Sequence, residues 1–202
     1  TVDNEVLVLQ SRALMVAVVK KLHLYAPVGQ QGRFTEATLY SSSPVIVEAL
    51  QPDSIEKKTE KIYFSFHPGT NTIEINNRHY RLAEWIRFPY GTLRFVRNPR
   101  NVAPTNNHYY FSLSPPTAVA TSLRSGLTAT SVSKLSTVIN LSFKAENADK
   151  AADILNELLR VYMRRTVDIE NKLAANTLSF VEQRLRDVEA DLDSIERRNQ
   201  QF

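Results

Sequence analysis

The last quarter of the chain lacks both residue types that most often interrupt a helix. No proline follows Pro116 and no glycine follows Gly126 in the 202-residue sequence, and these two residues are the least compatible with a helix interior. At about 1.5 Å per residue, one helix over residues 148–202 would be roughly 80 Å long. Because an average globular helix has only about 11–12 residues, this segment is predicted to be something other than a core helix.

The apolar pattern of this segment changes along its length. Between Ala151 and Tyr162 the apolar residues form a broad stripe, which favours packing against a sheet or another helix. From Leu178 the spacing alternates between three and four residues, as in the a/d seam of a coiled coil. The seam residues are Leu178, Val181, Leu185, Val188, Leu192, Ile195, Asn199 and Phe202, with charges such as Glu182, Arg184 and Glu189 between them. We therefore expect the first arm of a truncated coiled-coil hairpin, with a helix in a local bundle as the alternative.

Residues 1–147 predict a base of mixed secondary structure. We expect a helix over residues 3–22, capped by Asp3 or Asn4, and a loop over residues 28–36. Short β-rich runs separated by turn signals follow to residue 113, then a short helix over 117–125 and strands over 128–132 and 138–143. Asn147 is the predicted N-cap of the long helix. The predicted fold is α+β: a mixed base domain at 1–147, with a β-rich insertion at about 51–100, and an extended helix at 148–202.

Composition restricts the function classes without selecting one. Hydrophobic residues make up 43% and charged residues 23% of the chain, as in ordinary globular proteins, and cysteine is absent, which excludes disulfides and thiolate metal sites. Residues 148–202 hold 9 basic and 11 acidic residues, so a net charge of −2 there leaves +6 on residues 1–147. A basic body can meet anionic lipid, acidic glycan or nucleic acid. Since Thr1 opens the chain directly before a helix, we expect an excised segment.

The motifs of common catalytic sites are missing from the sequence. The histidines His23, His67, His79 and His108 show no metal-ligand spacing, and the five glycines are too far apart for a phosphate-binding loop. No nucleophile elbow is present. The sequence therefore predicts no catalytic, cofactor-binding or metal site in this chain.

One segment combines arginines with aromatic residues in a way that suits an anionic ligand. The arginines are Arg78, Arg81, Arg87, Arg94, Arg97 and Arg100, interleaved with Tyr80, Trp85, Phe88, Tyr90 and Phe95. Arginine binds phosphate and carboxylate through a rigid fork, and aromatic faces stack on sugar rings or bases. We expect Arg78, Arg81, Arg87, Arg94 and Arg97 to bind anionic lipid or the pyrophosphate of a lipid-linked glycan, the alternative being a solvated sheet face. Reversing Arg81 and Arg94 to Glu is then expected to weaken binding to anionic liposomes.

Three stretches carry motifs that together resemble one known family. The first helix contains Asn4-Glu5, Leu9, Ser11-Arg12, Leu14, Val18-Val19 and Leu22-His23-Leu24. The strand region contains Leu39-Tyr40, Ser43-Pro44-Val45 and Pro89-Tyr90-Gly91-Thr92-Leu93. The long helix contains Ala151 to Leu155, Tyr162, and Asn176-Thr177-Leu178-Ser179-Phe180-Val181 up to Leu185. In this order they resemble the periplasmic domain of the Wzz-type chain-length determinants, the polysaccharide co-polymerases. The similarity favours the capsule and exopolysaccharide branch (Wzc-like), whose members often carry a cytoplasmic tyrosine autokinase.

The resemblance implies a non-catalytic periplasmic scaffold, anchored in the bacterial inner membrane by segments outside this chain. Such domains form homo-oligomeric rings and regulate how far a membrane polymerase extends a lipid-linked glycan of capsule, exopolysaccharide or O-antigen. Any kinase would lie outside this chain, and no cofactor or nucleic acid is expected. The expected ring contacts come from Glu5, Ser11 and Arg12 of the first helix and from Arg164, Arg165 and Asp168 of the long helix, the alternative being packing within the domain or exposure to solvent.

Two other functional classes of protein remain possible on the sequence alone. A periplasmic adaptor of an efflux or secretion system also pairs a β-rich body with a helical hairpin, although its hairpin usually interrupts a lipoyl-like β domain. A nucleic-acid-binding module is suggested by the sequence pI near 9.3 and the arginine segment. Its affinity would fall steeply with salt.

Overall fold

The computed structural model describes residues 2–31, 36–101, 108–133 and 138–199. The described residues form an α+β fold, as predicted. In chain order the elements are α1 (Val2–Leu9), α2 (Arg12–Lys21), β1 (Val28–Gln31), β2 (Glu36–Leu39), β3 (Val45–Ala49), a 3-10 turn (Pro52–Ser54), β4 (Ile62–His67), β5 (Thr72–Ile75), β6 (Arg78–Arg81), β7 (Ile86–Phe88), β8 (Gly91–Arg97), β9 (His108–Phe111), α3 (Pro116–Arg124), β10 (Leu127–Ser131), β11 (Ile139–Phe143) and α4 (Ala148–Asn199).

The described strands pair antiparallel in three sheets. A six-stranded sheet has the order β2-β1-β9-β4-β5-β6, a three-stranded sheet has the order β3-β8-β7, and β10 pairs with β11. Tight turns set the register at one end of the large sheet. Asn76 and Asn77 both have positive φ, 51° and 61°, which suits the two-residue hairpin turn between β5 and β6.

Aromatic side chains join the two larger sheets. Phe95 of β8 lies 5.5 Å from Phe111 of β9 and 6.0 Å from Phe64 of β4, measured between ring centroids. Phe64, Phe95 and Phe111 are buried, and so are Leu14 and Val18 of α2. Truncating one such phenylalanine to alanine costs about 3–5 kcal/mol in typical cores. These contacts hold the first unit of the fold together.

Three local predictions are wrong. The helix expected over residues 3–22 is two helices, because the helical conformation is interrupted at Gln10 and Ser11. The Ser11 hydroxyl accepts a hydrogen bond from the Leu14 backbone N–H at 3.4 Å and caps α2. The first helix begins at Val2, so Asp3 and Asn4 lie within it and do not precede it. The loop expected over residues 28–36 contains β1, which pairs on both sides, with β2 and with β9.

The chain divides into two compact units, Thr1–Val161 and Tyr162–Phe202. Helix α4 begins in the first unit and supplies the described part of the second. Within the described ranges, no helix combines the length and the apolar character needed to cross a membrane. The predicted boundary at residue 147 stays a prediction.

Candidate functional site

The first turns of α4 are fixed to the base by a cap and by apolar packing. Asn147 Oδ1 accepts the Lys150 backbone N–H at 3.1 Å, which confirms the predicted N-cap. Ile154 and Leu158 are fully buried, and Glu157, which is 6% exposed, accepts a hydrogen bond from Arg160 at 3.2 Å. Of the broad apolar stripe predicted for this part of the helix, Ile154 and Leu158 pack inside the first unit, whereas Leu159 is 41% exposed.

A polar cluster ties α4 to two loops of the base. Arg100 donates to Asp153 through Nη1–Oδ2 at 2.5 Å and Nη2–Oδ1 at 2.9 Å, and the Tyr40 hydroxyl donates to Asp153 Oδ2 at 2.7 Å. Hydrogen bonding from Arg100 holds the pKa of Asp153 below its usual value, while burial and the Asp153 carboxylate raise the pKa of Tyr40. A cleft of about 480 Å³ opens beside the cluster and is also lined by Lys21 and Lys150. Because Asp153 already neutralises Arg100, this cluster serves first to position the helix.

The second unit exposes the apolar residues of the predicted seam. Their exposed fractions are Leu178 60%, Val181 53%, Leu185 61%, Val188 64% and Leu192 56%. The same three-and-four spacing extends toward the N-terminus through Ala174, Asn171 and Val167, and Val167 is 53% exposed. Exposed apolar stripes of this length are typical of interaction surfaces. The side chains of Ile195 and Asn199, and all of Phe202, lie outside the described residues.

Within the part of the chain that the structure describes, two of the six arginines have acidic partners. Arg94 pairs with Glu48 through Nε–Oε2 at 2.8 Å and through Nη2, and its guanidinium lies 4.6 Å from the centre of the Trp85 ring. Arg100 pairs with Asp153, as described above. The remaining four, Arg78, Arg81, Arg87 and Arg97, are exposed. Exposure leaves their guanidinium groups available to an anion, whereas Arg94 is held by Glu48.

Strand pairing distributes these arginines over several faces. In β6, Arg81 lies opposite Thr72 and Arg78 lies opposite Ile75, so alternation places the two on opposite faces. In the three-stranded sheet, Arg87 lies opposite Thr92, on the face that also carries Arg94, whereas Arg97 shares the face of the buried Phe95. The anionic-ligand patch stays a prediction, with Arg87 and Arg94 as the pair that the structure places on one face.

The six predicted ring-contact residues occupy different environments. Glu5 is half-buried in α1, Ser11 is half-buried and caps α2, and Arg12 is exposed beside it. Arg164, Arg165 and Asp168 are exposed on α4 in the second unit. The capping role gives Ser11 a function inside its own domain. The contribution of all six to a ring stays a prediction.

A cluster of possible metal ligands was not anticipated from linear spacing. His67, Glu74 and His79 lie on the three consecutive strands β4, β5 and β6, and their ligand atoms all lie within 4.8 Å of one another. The sequence feature that could have located this cluster is the turn, since a two-residue turn at Asn76-Asn77 places Glu74 directly opposite His79.

Comparison with known proteins gives a distant and partial relationship. No protein-family model matches the chain. It is similar to the tyrosine-protein kinase wzc of Salmonella typhi, with 32% identity over 80 residues, and to the tyrosine-protein kinase wzc of Salmonella typhimurium strain LT2, with 30% identity over 80 residues. The matched stretch covers 40% of this chain and only 11% of each relative. This α+β chain with its long helix is thus distantly similar to one region of Wzc. The match spans only a small part of the length of those proteins.

Proposed function

We propose that this chain is a non-catalytic periplasmic scaffold segment of an inner-membrane protein that regulates the length and export of a cell-surface polysaccharide. The partial similarity to Wzc supports the class, and the motifs of the first helix, the strands and the long helix agree with it. The exposed a/d seam of α4 is the observation that carries the proposal. Several copies form a ring beside the membrane polymerase and its lipid-linked glycan, and the arms, each stiffened by helix pairing along its own seam, set the spacing of the ring.

The seam supplies the driving force for helix pairing. Five successive a and d positions from Leu178 to Leu192 are each more than half exposed, and pairing removes their apolar surface from water. Burial of such surface contributes about 25 cal/mol per Å². Knobs-into-holes packing on a second helix is the arrangement that a 3.5-residue repeat favours. The proposed scaffold therefore needs a helix that covers Leu185 and its neighbours.

The charges beside the seam specify the chemistry of that helix. With Leu178 and Leu185 at a positions, Glu182 and Glu189 occupy successive e positions. In the antiparallel pair expected of a helical hairpin, the e positions of the two helices face each other, so a second copy of this arm in that orientation would oppose glutamate to glutamate, which is unfavourable. We therefore propose an antiparallel partner arm with an apolar a/d seam and Lys or Arg at its facing e positions.

A seam substitution in the intact, membrane-embedded protein tests the function in cells. Leu185→Lys introduces a charge into the proposed helix pair, and we expect surface polymer that is less abundant or altered in length on a gel. The matched control is Gln183→Lys, which adds the same charge at an f position, on the far side of the helix from the seam. We expect the control to leave polymer length unchanged. Polymer of wild-type length and amount from Leu185→Lys, at equal protein level, would refute the proposal.

A further inference from the structure

The outer face of the large sheet brings together three side chains that lie 12 residues apart at most in sequence. This face is opposite the one formed by the buried Phe64, Phe66 and Ile73. Glu74 of β5 lies directly across from His79 of β6. His67 pairs with Thr72, so it is the diagonal neighbour of Glu74 on the same face. The hairpin registers thus place all three side chains over one point of the sheet.

From this arrangement we propose that His67, Glu74 and His79 bind one divalent transition-metal ion of the Zn²⁺ class. His67 Nε2 and Glu74 Oε2 are 3.2 Å apart, and the imidazole rings of His67 and His79 are 5.6 Å apart between centroids. Metal–ligand bonds of 2.0–2.2 Å at tetrahedral angles put two ligand atoms roughly 3.4 Å apart. The His67–Glu74 separation already fits this value. The exposed His79 closes the remaining gap by side-chain rotation.

The ligand types select the class of ion. Two imidazole nitrogens and one carboxylate oxygen suit Zn²⁺ and its neighbours Ni²⁺ and Cu²⁺, whereas Ca²⁺ and Mg²⁺ prefer oxygen ligands throughout. Three protein ligands leave one position of a tetrahedral Zn²⁺ ion open to water or another donor. The bound ion would cross-link β4, β5 and the edge strand β6. Such a cross-link stabilises the end of the sheet that the turn at Asn76-Asn77 closes.

Zinc titration of the tag-free 202-residue chain tests this site. We expect isothermal titration calorimetry with ZnCl₂ to show one ion per chain, and the same titration with MgCl₂ to show no binding. His79→Gln and Glu74→Gln should each weaken Zn²⁺ binding by roughly 10- to 100-fold or more, since even supporting residues of metal sites contribute that much. Circular dichroism of both variants without metal should match the wild type, because both side chains lie at the surface of the sheet.

The matched control is His108→Gln on the same face. His108 lies opposite Ser65 and its Nδ1 is 3.3 Å from the Ser65 hydroxyl, outside the three-residue cluster. This variant should bind Zn²⁺ as tightly as the wild type. In NMR spectra, Zn²⁺ should shift the imidazole signals of His67 and His79 and leave those of His23 and His108 in place. The proposal is overturned if the wild type does not bind Zn²⁺, if the two ligand variants bind as tightly as wild type, or if only His23 or His108 responds.

Discussion

Arg100 and Asp153 are joined by two parallel hydrogen bonds, at 2.5 Å and 2.9 Å, between the segment that follows β8 and the second turn of α4. Tyr40 adds a third bond to the same carboxylate, at 2.7 Å. Three segments that are distant in sequence therefore meet at one charged group. With the buried Ile154 and Leu158, this contact fixes the first turns of α4 on the base.

We expect Asp153→Asn to lower the free energy of unfolding of the first unit by about 1–2 kcal/mol. Hydrogen bonds to charged groups contribute about 1.5–3 kcal/mol, and partial solvent exposure of Arg100 reduces that value. Urea unfolding followed by circular dichroism measures the change. Tyr40→Phe should show a smaller loss, and Glu56→Gln, at an exposed loop position, should stay within about 0.5 kcal/mol of wild type. Equal stability of Asp153→Asn and Glu56→Gln would show that the cluster does not hold the helix.

His23 should make the folded state less stable in mild acid. Burial, acting against the nearby Glu48 carboxylate, lowers the pKa of His23 below its ordinary value of 6.5; Lys21 and Arg94 act in the same direction as burial. Between the folded pKa and 6.5 the unfolded chain binds more protons, so the free energy of unfolding falls as the pH drops through this window. His23→Gln should remove this part of the pH dependence. An NMR titration of the His23 ring with a midpoint above 6.5 would contradict the prediction.

Gly29→Ala should destabilise the large sheet. A Cβ atom at Gly29 would lie 2.3 Å from Tyr110 Cζ on the paired strand, so the Tyr110 ring would have to shift. A shift would disturb its contacts with Tyr63 and with Lys61, whose Nζ lies 4.8 Å from the ring centre. Forced repacking of this kind typically costs about 1–3 kcal/mol. The control is Gly69→Ala, where no atom lies within 4 Å of the added Cβ, and it should be neutral. If both substitutions have the same effect on urea unfolding, the Tyr110 contact does not restrict the size of the side chain at position 29.

Local sequence signals located most elements of the base but not all of them. Asn76 and Asn77 separate β5 from β6, and such turn residues can be recognised in the sequence because their positive φ values are a local property of the chain. Strand β1 was missed because Val28-Gly29-Gln30-Gln31 has little intrinsic strand preference, and its pairing depends on Tyr110 from a distant strand. The break between α1 and α2 was missed since apolar spacing continues past Ser11, whose cap depends on side-chain geometry.

The surfaces proposed for function differed in how far sequence could define them. The seam depends on spacing along one helix, and the exposure of Leu185 and Leu192 agrees with it. The arginine segment spans two different sheets, so its division over several faces depends on strand pairing that linear sequence does not state. Glu48, the partner of Arg94, is 46 residues away in sequence. The cluster of His67, Glu74 and His79 is intermediate in how far the sequence could predict it, because the two short turns that join its strands already fix their registers.

Thiol labelling along α4 tests whether the seam is covered by another helix. The chain has no cysteine, so Leu185→Cys and Gln183→Cys each introduce a single reactive site in this segment, one on the seam and one on the opposite side. In the isolated 202-residue chain, both should react with a maleimide at similar rates. In the intact protein, in the membrane-anchored form proposed above, Leu185→Cys should become protected while Gln183→Cys keeps reacting. Equal and rapid labelling of both positions in the intact protein would contradict the paired-helix scaffold.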